Sequence, residues 1–67
     1  MDVSDVQQRV QAIADVVADY ERAHGLEDDL FTEAITEIAN ISTDPRARAL
    51  AGAALQSREI DFQRLAA

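Results

Sequence analysis

From Val3 onward the apolar side chains recur at alternating steps of three and four: Val3, Val6, Val10, Ile13, Val17 and Tyr20. That is a heptad spacing, a narrow stripe along one helix face. Ser4 with Gln7 three residues on has the form of a capping box. Gly25 offers the left-handed conformation that ends many helices, with Leu26 and Tyr20 positioned to close the cap. These signals predict a first helix over residues 4–24. A second helical period, Leu30, Phe31, Ala34, Ile35, Ile38 and Ile41, predicts a helix over residues 28–40. Glu27, Asp28 and Asp29 would fill its positively polarised first turn. Leu26 and Phe31 would form a hydrophobic staple, and Asn40 a left-handed end. The stretch "TDPRA" puts Asp44 at an N-cap and Pro45 at the first helical position, where its missing N–H is no loss. It predicts a third helix over residues 45–65, with Ala47, Leu50, Ala51, Ala54, Leu55, Phe62 and Leu65 as its apolar positions. No segment has the period of a strand.

The expected fold class is therefore all-α. The chain reads as a single helical domain over residues 1–67: a three-helix bundle, or a helical hairpin plus a short helix, completed by dimerisation. The expected helices are about 30, 21 and 30 Å long at 1.5 Å per residue. Short connections make neighbours antiparallel, so a shorter middle helix leaves Val3 and Val6 unmatched at one end and Phe62 and Leu65 at the other. Burying each such side chain is worth about 1.5–3 kcal/mol, and a second copy would cover them. The residues expected at this protein interface are Val3, Val6, Val10, Ala51, Leu55, Arg58, Phe62 and Leu65. Arg58 falls on the seam of the third helix, its stem suited to an apolar edge and its head to water or to a carboxylate across an interface. Gly52 sits mid-helix among alanines at about 1 kcal/mol against Ala, the composition of a close helix crossing.

Length sharpens this picture. The chain has 67 residues, and one of about 60 buries only about 60% of the surface its unfolded form exposes. Small domains lean on disulfides, metals or partners. There is no cysteine and a single histidine, which leaves a partner.

Charge excludes other roles. The formal net charge is −7, with thirteen acids against six arginines and no lysine. A polyanion-binding surface needs the reverse balance, so neither nucleic acid nor an anionic membrane is an expected partner. The charge is uneven: residues 1–44 carry net −9 and residues 45–67 net +2, which orients the third helix toward the first two or toward those of a second copy. No charged-then-apolar leader follows Met1, and no apolar run approaches the roughly 18 residues of a membrane span. A cytoplasmic protein and a complete short gene product are expected.

Chemistry is sparse. Glu21 and His24 have the Glu-x-x-His spacing of bundle di-metal sites, but at the end of the expected first helix a histidine is explained by the dipole. Glu33 and Glu37 share a helix face, and acid–base work would require burial to separate their pKa values. Ser4, Ser42 and Ser57 have no nearby histidine, and no glycine-rich phosphate loop is present. "STDPRARA" offers free N–H groups with Arg46 and Arg48 alongside, but Asp44 already fills that end. Expected are no enzyme activity, no cofactor and no metal. The leading function is a small acidic interaction module that self-associates and docks on or assembles with a larger protein, in an assembly or regulatory role. The alternative is an acidic inhibitor, a nucleic-acid mimic or antitoxin-like protein neutralising a basic partner through Asp15, Asp19, Asp28, Asp29, Glu33 and Glu37.

Overall fold

A computed structural model describes residues 1–60. Among these residues the chain is all-helical, with no strand: α1 spans Val3–Ala14, α2 Tyr20–Ile41 and α3 Pro45–Leu55, followed by one 3₁₀ turn at Gln56–Glu59. They fall into two compact units, one of Met1–Phe31 and one beginning at Thr32.

α1 starts one residue earlier than its sequence signal. Asp2, not Ser4, is the N-cap. Asp5 N–H donates to Asp2 Oδ1 at 2.9 Å, and Asp2 N–H donates to Asp5 Oδ2 at 2.9 Å. The reciprocal pair is a capping box built from two aspartates. A carboxylate at the N-cap also has the helix dipole in its favour.

The largest departure from expectation is the end of this helix. α1 stops at Ala14 rather than residue 24. The amide of Asp15 bonds back to the Gln11 carbonyl at 2.9 Å, and Gln11 Nε2 donates to Asp15 Oδ1 at 2.9 Å across the same turn. Val16 N–H then reaches Ile13 O at 3.1 Å and Asp19 N–H reaches Val16 O at 2.9 Å, both three residues back. Asp19 restarts the helix: its carbonyl accepts from Ala23 N–H at 2.9 Å, and its Oδ1 from Arg22 N–H at 3.2 Å. Two causes are local. Val16 and Val17 are stiff β-branched neighbours, and Asp19 competes for helix amides as an N-cap.

α2 consequently begins at Tyr20, ahead of the expected start at residue 28, and it absorbs the boundary placed at Gly25. Gly25 lies inside α2 and does not have positive φ. The cap pairing of Leu26 with Tyr20 and the staple of Leu26 with Phe31 do not form as such, because the backbone runs on as helix. Asp28 and Asp29 are mid-helix rather than first-turn residues, and Asn40 takes no left-handed conformation. Thr36 Oγ1 donates to the Thr32 carbonyl one turn back at 2.7 Å, which satisfies a hydroxyl inside a helix. With 22 residues, α2 is about 33 Å long. The expected long–short–long order is thus reversed, and the end mismatch inferred from it loses its premise.

α3 begins as read from the sequence. Asp44 is extended at φ −88° and ψ 111°, its Oδ1 accepts from Arg46 N–H at 2.9 Å, and Pro45 is the first helical residue. Ser42 Oγ accepts from Asp44 N–H at 3.2 Å and braces the connection. The helix ends at Leu55, not residue 65. Gln56 N–H turns to both Ala53 O and Ala54 O, and the chain tightens into the 3₁₀ turn. Gly52 and Ser57 both lower the helix propensity of this stretch. The expected helix beyond residue 60 lies outside the described residues.

The core is thin. Among the described residues, Leu30, 4% exposed, is the buried apolar residue of the first unit, and Ala51, 8% exposed, that of the second. On α3, Ala47 and Leu55 flank Ala51 at i−4 and i+4 and are half-buried, so this helix turns the face of Ala47, Ala51 and Leu55 inward and leaves Leu50 out.

Candidate interaction surface

In the first unit the α1 stripe is present, shortened to Val3, Val6, Val10 and Ile13. Three- and four-residue steps set these on one face of the helix. Val3 is 72% exposed and Val10 53%, while Val6 and Ile13 are half-buried. Val17 falls in the turn, and Tyr20 opens α2 at 76% exposed. Isolated exposed apolar residues are ordinary. Val3 and Val10 are two turns apart on the same face of α1.

The same unit contains a shallow open hollow of about 290 Å³ lined by Ile13, Tyr20, Ala23, His24 and Glu27. Four of these residues share one face of α2 at positions i, i+3, i+4 and i+7, and Ile13 comes from the last turn of α1. The hollow brings a phenol, an imidazole and a carboxylate to one apolar-floored depression. Sequence reasoning set His24 at a helix C-terminus, beside the negative end of the dipole. It is instead the fifth residue of α2, where the dipole offers it nothing. Glu21 is on the same first turns but does not line the hollow. Among the described residues, no three His, Asp or Glu side chains gather to hold a metal ion.

In the second unit, Ile38, Ile41, Leu50 and Ile60 are exposed. Phe31, at the end of the first unit, is 57% exposed. Phe31, Ile38 and Ile41 belong to the same helical period as Leu30, Ala34 and Ile35, but α2 buries Leu30 and half-buries Leu26, Ala34 and Ile35 while those three are exposed. Of the expected interface residues, Val3, Val6 and Val10 lie together on α1. Ala51 and Leu55 lie on α3, where Ala51 offers almost no surface and Leu55 is half-buried. Arg58 is exposed and belongs to the 3₁₀ turn rather than to α3. Phe62 and Leu65 lie outside the described residues. A Cβ built on Gly52 meets nothing within 4 Å, so no close crossing inside the chain requires that glycine.

The acidic groups are spread over both units. Asp15, Asp19, Asp29 and Glu33 are exposed, and Asp28 and Glu37 are half-buried. No helix among the described residues is long and apolar enough to cross a membrane. Comparison with family models, curated proteins and solved structures gives no match to this chain.

Proposed function

We propose that this chain is a small, non-enzymatic, cytoplasmic interaction module: a helical bundle that self-associates as a dimer and assembles with a larger protein in an assembly or regulatory role. The observation that carries this reading is the contrast in burial. Leu30 and Ala51 are the buried apolar residues of the described chain, while Val3, Val10, Tyr20 and Phe31 stand more than half in water. Each large apolar side chain moved from water to an interface contributes about 1.5–3 kcal/mol, so a second protein surface supplies the core that one copy lacks. The non-enzymatic reading rests on the hollow beside Tyr20 and His24, which is open to solvent where catalysis needs a pocket that excludes water. A cysteine-free chain suits a reducing compartment.

Val3→Asp and Val10→Asp test the reading. Both side chains are exposed in the single chain, so a charge there leaves the fold in place while opposing burial at an interface. Light scattering should report loss of the assembled species in both variants. An unchanged mass in both removes Val3 and Val10 from any interface and the reading with them.

A second reading, an acidic neutraliser of a basic protein, draws on the exposure of Asp15, Asp19, Asp29 and Glu33. Its association would weaken steeply with salt, whereas association through apolar side chains strengthens with kosmotropic salts. A salt series separates the two.

A further inference from the structure

The hollow lined by Ile13, Tyr20, Ala23, His24 and Glu27 lies within the first unit. Ile13 and Ala23 are half-buried, whereas Tyr20, His24 and Glu27 are exposed. Tyr20 and Glu27 are two turns apart on α2, about 10 Å along its axis. Ala23, with the shortest side chain of the five, leaves the gap between them. None of the three polar side chains has a hydrogen-bond or ion-pair partner among the described residues.

Chemistry narrows the occupant. An anion would meet the Glu27 carboxylate, in a segment, residues 1–31, that carries eight acids against two arginines. A metal ion lacks ligands, since no three His, Asp or Glu side chains gather among the described residues. A neutral apolar molecule would leave a carboxylate, an imidazole and a phenol unmatched. A shallow hollow also cannot enclose a free ligand as ligand pockets do. An organic cation carried on a larger surface meets each of these constraints. Neither Arg9 nor Arg22 lines the hollow. The positive end of α2 opposes a cation little, because the dipole fades within the first turn. Asp19 already caps that end, its Oδ1 accepting from Arg22 N–H at 3.2 Å.

We infer that the hollow takes the guanidinium of an arginine on a basic face of a partner protein. This rests on the assembly with a larger protein proposed above and names the chemistry of one contact. A guanidinium seated over Ala23 is within side-chain reach of both Tyr20 and Glu27. Its plane stacks on the Tyr20 ring. Its N–H groups donate to the Glu27 carboxylate and to the acceptor nitrogen of the His24 imidazole. Its methylene stem lies against Ile13 and Ala23. Lysine supplies a compact charge without a plane to stack, so arginine is the better fit. The negative charge of residues 1–31 steers a basic face toward the hollow.

NMR titration of the full chain tests this, with N-acetyl-arginine amide as the probe and its lysine and uncharged citrulline counterparts beside it. Saturable amide shifts confined to residues 13–27 are expected with arginine, weaker ones with lysine and none with citrulline. Tyr20→Leu and Glu27→Gln, both at exposed positions, should each weaken arginine binding about two- to fivefold, the effect of an exposed cation–aromatic contact or ion pair. Glu21→Gln removes the same charge one residue from Tyr20 but outside the hollow, and should leave binding unchanged. Equal weakening by Glu21→Gln and Glu27→Gln, or equal binding of lysine and arginine, would mean attraction to net charge alone and overturns the inference. So does the absence of saturable shifts at the hollow. Light scattering reads self-association separately, so a failure at the hollow and a failure of the proposed assembly are told apart.

Discussion

Replacing Gly25 with alanine distinguishes sharply between two ways of laying this sequence on helices. If Gly25 ended a helix in the left-handed conformation, a Cβ there would be strained by about 1–2 kcal/mol. The variant would then be less stable. In the structure Gly25 is the sixth residue of α2, its φ is not positive, and a Cβ built on it meets nothing within 4 Å. No packing cost opposes the change, and alanine is better than glycine in a helix interior by about 0.8–1.0 kcal/mol. For a domain of this size about 1 kcal/mol moves Tm by roughly 4–8 °C. Thermal melts followed by far-UV circular dichroism, at matched concentrations so that assembly is held constant, should show Gly25→Ala melting higher by that amount. A lower Tm would refute a continuous α2 and return the helix boundary to Gly25.

Other expectations follow from the same contacts. Asp2→Ala should lower stability by about 0.5–2 kcal/mol through loss of the cap, seen as a lower melting temperature, whereas Ser4→Ala should leave it nearly unchanged because Ser4 is not the N-cap. Leu30→Ala should remove about 2–5 kcal/mol, most of what a chain this small has, and abolish a cooperative melt, while Leu50→Ala at an exposed site should change stability by less than about 0.5 kcal/mol.

How much of this was legible in the sequence depended on how local the deciding interaction is. The start of α3 was readable because Asp44 and Pro45 settle it within three residues: one accepts from Arg46 N–H and the other cannot extend a helix backward. The all-helical class was readable from period alone. The break at residues 15–19 was not, because Gly25 is stronger punctuation than a pair of valines, and glycine's preference for a helix end was overridden by a neighbourhood that favours helix on both sides. The signal was there in Asp19, an N-cap residue two positions after Val17, but it lies inside an unbroken apolar stripe. Which apolar residues are covered was the least legible feature. Phe31, Ile38 and Leu30 all satisfy a helical period, and only the three-dimensional fold separates Leu30, inside, from Phe31 and Ile38, outside. Spacing placed Val3, Val6 and Val10 on one helix, as α1 has them, whereas Ala51 is buried on the α3 face that it shares with Ala47 and Leu55.

The most direct test is the mass of the folded protein in solution as concentration is varied, by native mass spectrometry or sedimentation equilibrium. The proposed self-association covers the wet apolar side chains of α1 and α2 with a second copy, so a dimer is expected, dissociating on dilution with loss of stability. A single copy that stays folded, cooperative and equally stable over the whole range would mean that Val3, Val10, Tyr20 and Phe31 tolerate water, and self-association would be wrong.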